Sequence, residues 1–433
     1  MSLNQIDSSN KRAGLRNWFG LIVLMLPVLL VTVDNTVLGF ALPKIAGALE
    51  PSANQQLWII DAYSLMLAGL LVSMGSIGDR AGHRLLLLLG SLGFTIVSVL
   101  IALSTSPEQL IFGRAALGFF GAMLMPSTLA LISCLFEDRE QRRIAVAIWA
   151  TTLTVGSALG PVIGGILLQY FDWNSIFLLA VPILVPLLIF GPILLPESDK
   201  KQTGFIDIYS VLLSIISMTS IVYAIKHVAS DGVDISAIVT FVIGVIAGRG
   251  FIRRQQKLPV PLMDISLFQN GVFTGSVIVN LLSLALLVGF IFFATQFLQI
   301  VLDIEPLFAS FALVPGQIMA IIVGMAIVPV AQKVSAHWLM PILLALAGAA
   351  FFLIACVGSD LISVIFAFAI LGIGVGAIAS VSNDLILSAV PPSKAGAASA
   401  ISETAYEVGV VLGTTIYRWI SDCVLSSQSG VAF

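Results

Sequence analysis

Polar residues in this chain are confined to short breaks between long apolar runs, and the length of those runs sets the architecture. A helix crossing about 30 Å of hydrocarbon needs roughly 20 mostly apolar residues. Lipid also admits only segments whose backbone hydrogen bonds close internally or within a barrel. Runs of that length recur thirteen times, at 18–42, 56–78, 84–104, 108–134, 144–168, 174–196, 205–226, 235–252, 272–300, 307–332, 338–358, 361–389 and 395–420. The pattern predicts an all-α polytopic membrane protein. Composition agrees, because 58% of the 433 residues are hydrophobic and only 10% are charged, whereas a soluble chain carries about a quarter charged residues. So few charges cannot coat a water-facing surface, which excludes cytosolic enzymes and nucleic-acid binders.

The polar breaks divide the chain. A segment 1–17 precedes a six-helix half at 18–196; a linker at 197–271 holds two extra spans; a second half at 272–420 has five helices; a polar tail occupies 421–433. Lys and Arg collect on the side from which loops are not translocated. With the N-terminus in the cytoplasm, that side holds sixteen of the 20: Lys11, Arg12, Arg16, Arg80, Arg84, Arg139, Arg142, Arg143, Lys200, Lys201, Arg249, Arg253, Arg254, Lys257, Lys333 and Lys394. Lys44, Lys226 and Arg418 fall outside and Arg114 within a span. An odd count puts the C-terminus outside, which suggests that a last span is missing. The first run is too long for a cleaved signal peptide. Cys134, Cys356, Cys423 and the three histidines show no spacing that suggests a disulfide or a metal.

A charge at membrane depth costs at least a few kcal/mol, so each one is a functional candidate. The candidates are Asp34, Asp61, Arg114, Asp384, Glu403 and Glu407. At about 1.5 Å of rise per residue, Asp34, Asp61 and Arg114 all lie about 8–9 Å from the outer boundary. They can form one cluster, in which a single Arg cannot compensate two carboxylates, so at least one Asp awaits a proton or a cation. A structural ion pair is the simpler alternative. Glu403 and Glu407 share a helix face near the midplane, with Tyr406 beside them, and repel unless a proton or cation intervenes. Trp58 lies one turn from Asp61, where its ring can stack on an organic cation or anchor the helix at the interface. Asp384 reads more simply as a solvated helix end.

The loop Gly75-Ser-Ile-Gly-Asp79-Arg80-Ala-Gly82-His83-Arg84 resembles the signature of the major facilitator superfamily, in which charge pairs latch cytoplasmic helix ends. Arg114-Ala-Ala-Leu-Gly118 resembles the span-four motif that contributes an Arg to proton coupling. Gly156-Ser-Ala-Leu-Gly160-Pro161-Val-Ile-Gly164-Gly165 resembles the span-five motif of antiporters. With Asp34-Asn-Thr and Trp58-Ile-Ile-Asp61, the chain is similar to the fourteen-span drug:proton antiporters that export quaternary ammonium antiseptics and cationic dyes. The resemblance implies a bacterial cell-membrane exporter, monomeric and surrounded by lipid. It would be driven by the proton gradient without a cofactor, and Asp34, Asp61, Glu403 and Glu407 would bind substrate or protons. The run 317–332 lacks an acid that the family carries, which counts against divalent drugs. An importer or metabolite exporter on the same fold, or a truncated relative that does not transport, are the competing expectations.

Overall fold

A computed structural model describes residues 13–429 apart from 137, 198–206, 259–260, 332, 358–359 and 391–394. Lys11, Arg12, Lys200, Lys201 and Lys394 of the charge pattern lie outside these residues, as does most of the polar stretch after Glu197. The protein is an all-helical bundle. Its helices are α1 (Leu15–Leu49), α2 (Ala53–Ala81), α3 (His83–Ala102), α4 (Pro107–Leu135), α5 (Arg139–Tyr170), α6 (Ser175–Leu178), α7 (Ala180–Leu194), α8 (Ile208–Asp231), α9 (Ile235–Lys257), α10 (Gly271–Gln296), α11 (Pro306–Ala326), α12 (Val328–Ala331), α13 (Ala336–Val357), α14 (Leu361–Ser388) and α15 (Ala395–Ser429). Among the described residues, twelve helical segments are long and apolar enough to cross a membrane, the α6–α7 pair counting as one; α15 is a further long helix.

Each of the thirteen expected spans coincides with helix, with three differences. The sixth is interrupted at Leu179 and the tenth at Ile327. A proline follows each break, Pro182 and Pro329; its missing N–H and its ring, which crowds the carbonyl four residues back, do not continue a helix. The third difference is length: α8 runs on to Asp231 rather than ending at 226, and residues 421–429 continue α15. Most spans begin at a side-chain cap, including Ser52, Ser106, Asp138, Asp207, Asp234, Asn270 and Asp360. These caps satisfy the first N–H groups where the helix leaves its neighbours.

Glycines govern how closely the helices approach. A Cβ on Gly156 or Gly160 would overlap the Thr32 or Thr36 hydroxyl of α1, and one on Gly164 would stand 2.7 Å from Val37 Cγ2. The span-five motif therefore packs α5 onto α1, while the adjacent Gly165 faces Ser310 and Leu307 of α11 in the other half. In the second half, Gly409 and Gly413 bring α15 against the α10 backbone. The halves meet along two seams, α2 with α15 and α5 with α11.

Helices α8 and α9 pack on one another at Gly244, where Ser217 Oγ donates to its carbonyl at 2.9 Å. At their basic end Arg254 grips Asp207 with two bonds of 2.7 and 2.9 Å, which hold that carboxyl down at about 2. Helix α8 lies against both α2 and α15, with Val222 buried between Leu65 and Val411. The added pair is thus docked on the seam between halves.

The turn between α2 and α3 holds the signature loop. Gly82 has φ +104, and a Cβ there would stand 2.8 Å from the Glu197 carboxylate. Arg84 pairs with that Glu197 at 2.8 Å and donates to Leu195 O at 3.2 Å, while Asp79 meets His83 at 3.2 Å. Gly82→Ala should lower the thermal unfolding midpoint in detergent by the equivalent of about 1–3 kcal/mol. Gly39→Ala, in α1 with nothing within 4 Å of the added carbon, should leave it unchanged or raise it.

Candidate functional site

The polar interior is built around Asp34, Asp61 and Arg114, which converge from α1, α2 and α4. Helix α4 approaches α2 closely because Gly118 has no side chain where the Tyr63 backbone and Met66 Cβ stand. That approach lays the Arg114 guanidinium over the Tyr63 ring, 4.5 Å from its centroid. Arg114, 1% exposed, donates from Nη1 to Asp34 Oδ2 at 2.5 Å and from Nε to Ile59 O at 3.2 Å. The depth expected for these groups is thus matched by contact, and the pairing is specific: Arg114 serves Asp34.

Asp61 has a cation of its own. Fully buried in α2, its carboxylate forms an ion pair with Lys226 of α8, and Thr414 Oγ1 lies 3.0 and 3.2 Å from its two oxygens. This corrects the placement of Lys226 in an outer segment. The apolar run reads as ending at the lysine, yet α8 continues beyond it and buries it to 2% exposure. The cation expected at the second aspartate, which one Arg cannot compensate, is here a lysine of the protein itself. The same ammonium sits 4.9 Å from the centroid of Trp58, the ring expected to receive an organic cation. Trp58 lies 6.1 Å from Tyr223, which stacks on His227, and His227 pairs with Asp234 at 3.1 Å.

Glu403 and Glu407 differ from both aspartates: among the described residues neither is in an ion pair. Glu407, 8% exposed, accepts from Asn35 Nδ2 of α1 at 3.1 Å across the seam. Its carboxylate is also approached by the buried Ser64 hydroxyl of α2, a second neutral partner. Glu403 lies one turn away, half-buried. Tyr406 accepts from Asn383 Nδ2 at 3.3 Å. Asn383 belongs to a buried network in the second half, where Asn280 Nδ2 donates to Ser402 Oγ at 3.1 Å and Ser382 donates to Asn280. Asp384 is exposed, as a helix-end residue would be. Among the described residues no group of three or more His, Cys, Asp or Glu is placed to hold a metal ion.

Sequence reasoning passed over Lys226, Asn35, Thr414 and the Asn280 network. Asn280 had a visible signal, a polar side chain in the middle of an apolar run; Thr414 had none, since threonine is ordinary in such helices.

The helical fold and the sequence are shared with known transporters. The Major Facilitator Superfamily profile matches residues 24–414. The chain belongs to that superfamily. It is 50% identical over 408 residues to the multidrug efflux pump LfrA of Mycolicibacterium smegmatis, covering 94% of this chain and 81% of the relative. It is 31% identical over 405 residues to the methyl viologen resistance protein SmvA of Salmonella typhimurium, covering 93% and 82%. The superfamily fold is also seen in the crystal structure of a bacterial homologue of the human lysosomal transporter Spinster. There the TM-score is 0.64 at 16% identity, over 97% of this chain and 84% of that one.

Removing one member of a buried pair leaves an uncompensated charge, at a cost of about 3–5 kcal/mol. Arg114→Met should therefore lower the unfolding midpoint strongly, and Asp34→Asn added to it should recover much of the loss. Thermal unfolding of the two variants in the same detergent checks the pairing.

Proposed function

We propose that the protein is a proton-coupled exporter of lipophilic organic cations, such as quaternary ammonium antiseptics and cationic dyes. Its basic end would face the cytoplasm of a bacterial cell. The observation that carries this reading is the pair Glu403 and Glu407: two acids one helical turn apart at the seam, in no ion pair among the described residues, with only neutral hydrogen-bond partners, Asn35 and Ser64, at Glu407. Two such carboxyls in a low dielectric cannot both remain charged and uncompensated, so each step of the cycle must supply a proton or a cation. A site that accepts either one, but is crowded by both together, exchanges them. Similarity to proteins named as a multidrug efflux pump and a methyl viologen resistance protein supports drugs as the cargo.

In the proposed cycle a cation enters from the basic end and neutralises Glu403 and Glu407 after they release protons there. The halves then rock about the α2–α15 and α5–α11 seams, where Gly165 leaves room for sliding. At the opposite end protons reach the acids and the cation departs. Arg114 stays paired with Asp34 and fixes that carboxylate beside the seam. Asp79, Arg80, Arg84 and Glu197 act at the cytoplasmic turn, where their pairs open and close with the two states. The gradient is the energy source, and no bound cofactor takes part.

Everted membrane vesicles expressing the protein should accumulate ethidium when acidified inside, and a protonophore should collapse the uptake. Glu407→Gln and Asp34→Asn, each at normal protein level, should reduce uptake to background. Undiminished uptake in Glu407→Gln would remove the residue from the site, and uptake of the opposite coupling would make the protein an importer.

A further inference from the structure

Helices α8 and α9 lie outside the two halves, yet α8 carries a charge into the polar interior. Lys226 reaches between α2 and α15, and its ammonium meets the Asp61 carboxylate and the Trp58 ring together. A carboxylate for charge and an aromatic face for a diffuse positive surface are the two features that recognise a lipophilic organic cation. In this structure both are taken by a lysine of the protein itself. We propose that Lys226 is a tethered competitor of the substrate: it occupies the Asp61 and Trp58 end of the seam when the transporter is empty, and an organic cation that neutralises the glutamates of α15 also displaces it there. The inference rests on the cation-export reading above.

Three observations favour displacement over a permanent clamp. Asp61 sits on the seam, with Thr414 of the opposite half against the same carboxylate, so its surroundings change whenever the halves separate. Helix α8 contacts both α2 and α15 at that seam, through Val222 between Leu65 and Val411, so it senses the same movement. Lysine is a compact charge on a flexible stem, unlike the planar fork of Arg114, which is fixed by bonds to both Asp34 and Ile59; release needs reorientation of one side chain and not withdrawal of a helix.

The consequence is a sign that a structural ion pair does not share. A site occupied by its own lysine binds substrate with an affinity reduced by the fraction of time it is free, so removing the lysine should tighten binding by about tenfold or more. The experiment measures tetraphenylphosphonium binding to the detergent-purified full chain for wild type, Lys226→Gln, Lys226→Arg and the double variant Lys226→Gln/Asp61→Asn. Tighter binding in Lys226→Gln, weaker binding than wild type in the double variant, which lacks the carboxylate as well, and near wild-type affinity in Lys226→Arg are expected. Lys226→Gln leaves Asp61 without its cation. If it fails to fold, the comparison of wild type with Asp61→Asn/Lys226→Gln and Lys226→Arg still decides: a double variant that binds as wild type does, with Lys226→Arg also unchanged, overturns the proposal, and weaker binding by the double variant supports it. Unchanged or weaker binding by a folded Lys226→Gln overturns the lysine's role alone. Absence of binding by every form, wild type included, overturns the export reading as well.

Discussion

The interior of this bundle is governed by the cost of holding charge at membrane depth. Four carboxylates, Asp34, Asp61, Glu403 and Glu407, gather near the α1, α2 and α15 contacts, and two basic residues, Arg114 and Lys226, are buried with them. Each basic residue serves one aspartate. The imbalance therefore falls on α15, where Glu403 and Glu407 share one face and neither is in an ion pair among the described residues. A protein built only for stability would have apolar groups there, since well-packed hydrophobic residues match or exceed buried ion pairs in stability. On the function proposed above, the retained deficit is what a carrier of positive charge requires, because protons and organic cations are alternative ways of filling it.

Close packing makes that deficit specific. The backbones come together where glycines remove side chains: Gly118 sets α4 on α2 and delivers Arg114 to Asp34, and Gly156, Gly160 and Gly164 set α5 on α1 beside it. Gly409 and Gly413 do the same between α15 and α10, which fixes the helix bearing the two glutamates. Glycine thus acts twice, allowing contact within each half and, at Gly165, a narrow contact between halves. The charge geometry follows from backbone approach, and small movements of these helices change which group neutralises which.

Much of the fold is legible in the sequence because lipid imposes one rule on every span, and the apolar runs reflect it directly. The glycines of α5 were legible through their resemblance to an antiporter motif, and the meeting of Asp34 with Arg114 through the spacing of charges within their spans. Lys226 could not. The apolar run of the seventh span ends at Lys226, and only contact with Asp61, far away in sequence, explains why the helix continues past it with the lysine buried. The breaks at Leu179 and Ile327 were missed for a local reason, since prolines in long apolar runs are often accommodated, as Pro161 is in the intact α5. The Asn35 to Glu407 bond joins residues of opposite halves, a pairing that periodicity within either helix cannot supply.

The most direct test of the charge deficit counts protons. Purified protein in weakly buffered detergent, titrated with tetraphenylphosphonium, should acidify the solution as the cation binds, because a neutral carboxyl on α15 must give up its proton to receive a positive charge. Replacing both Glu403 and Glu407 with Gln should abolish the release. Cation binding with no change in pH would contradict the account, since it would mean that the two acids are already ionised and that protons and substrate do not share them.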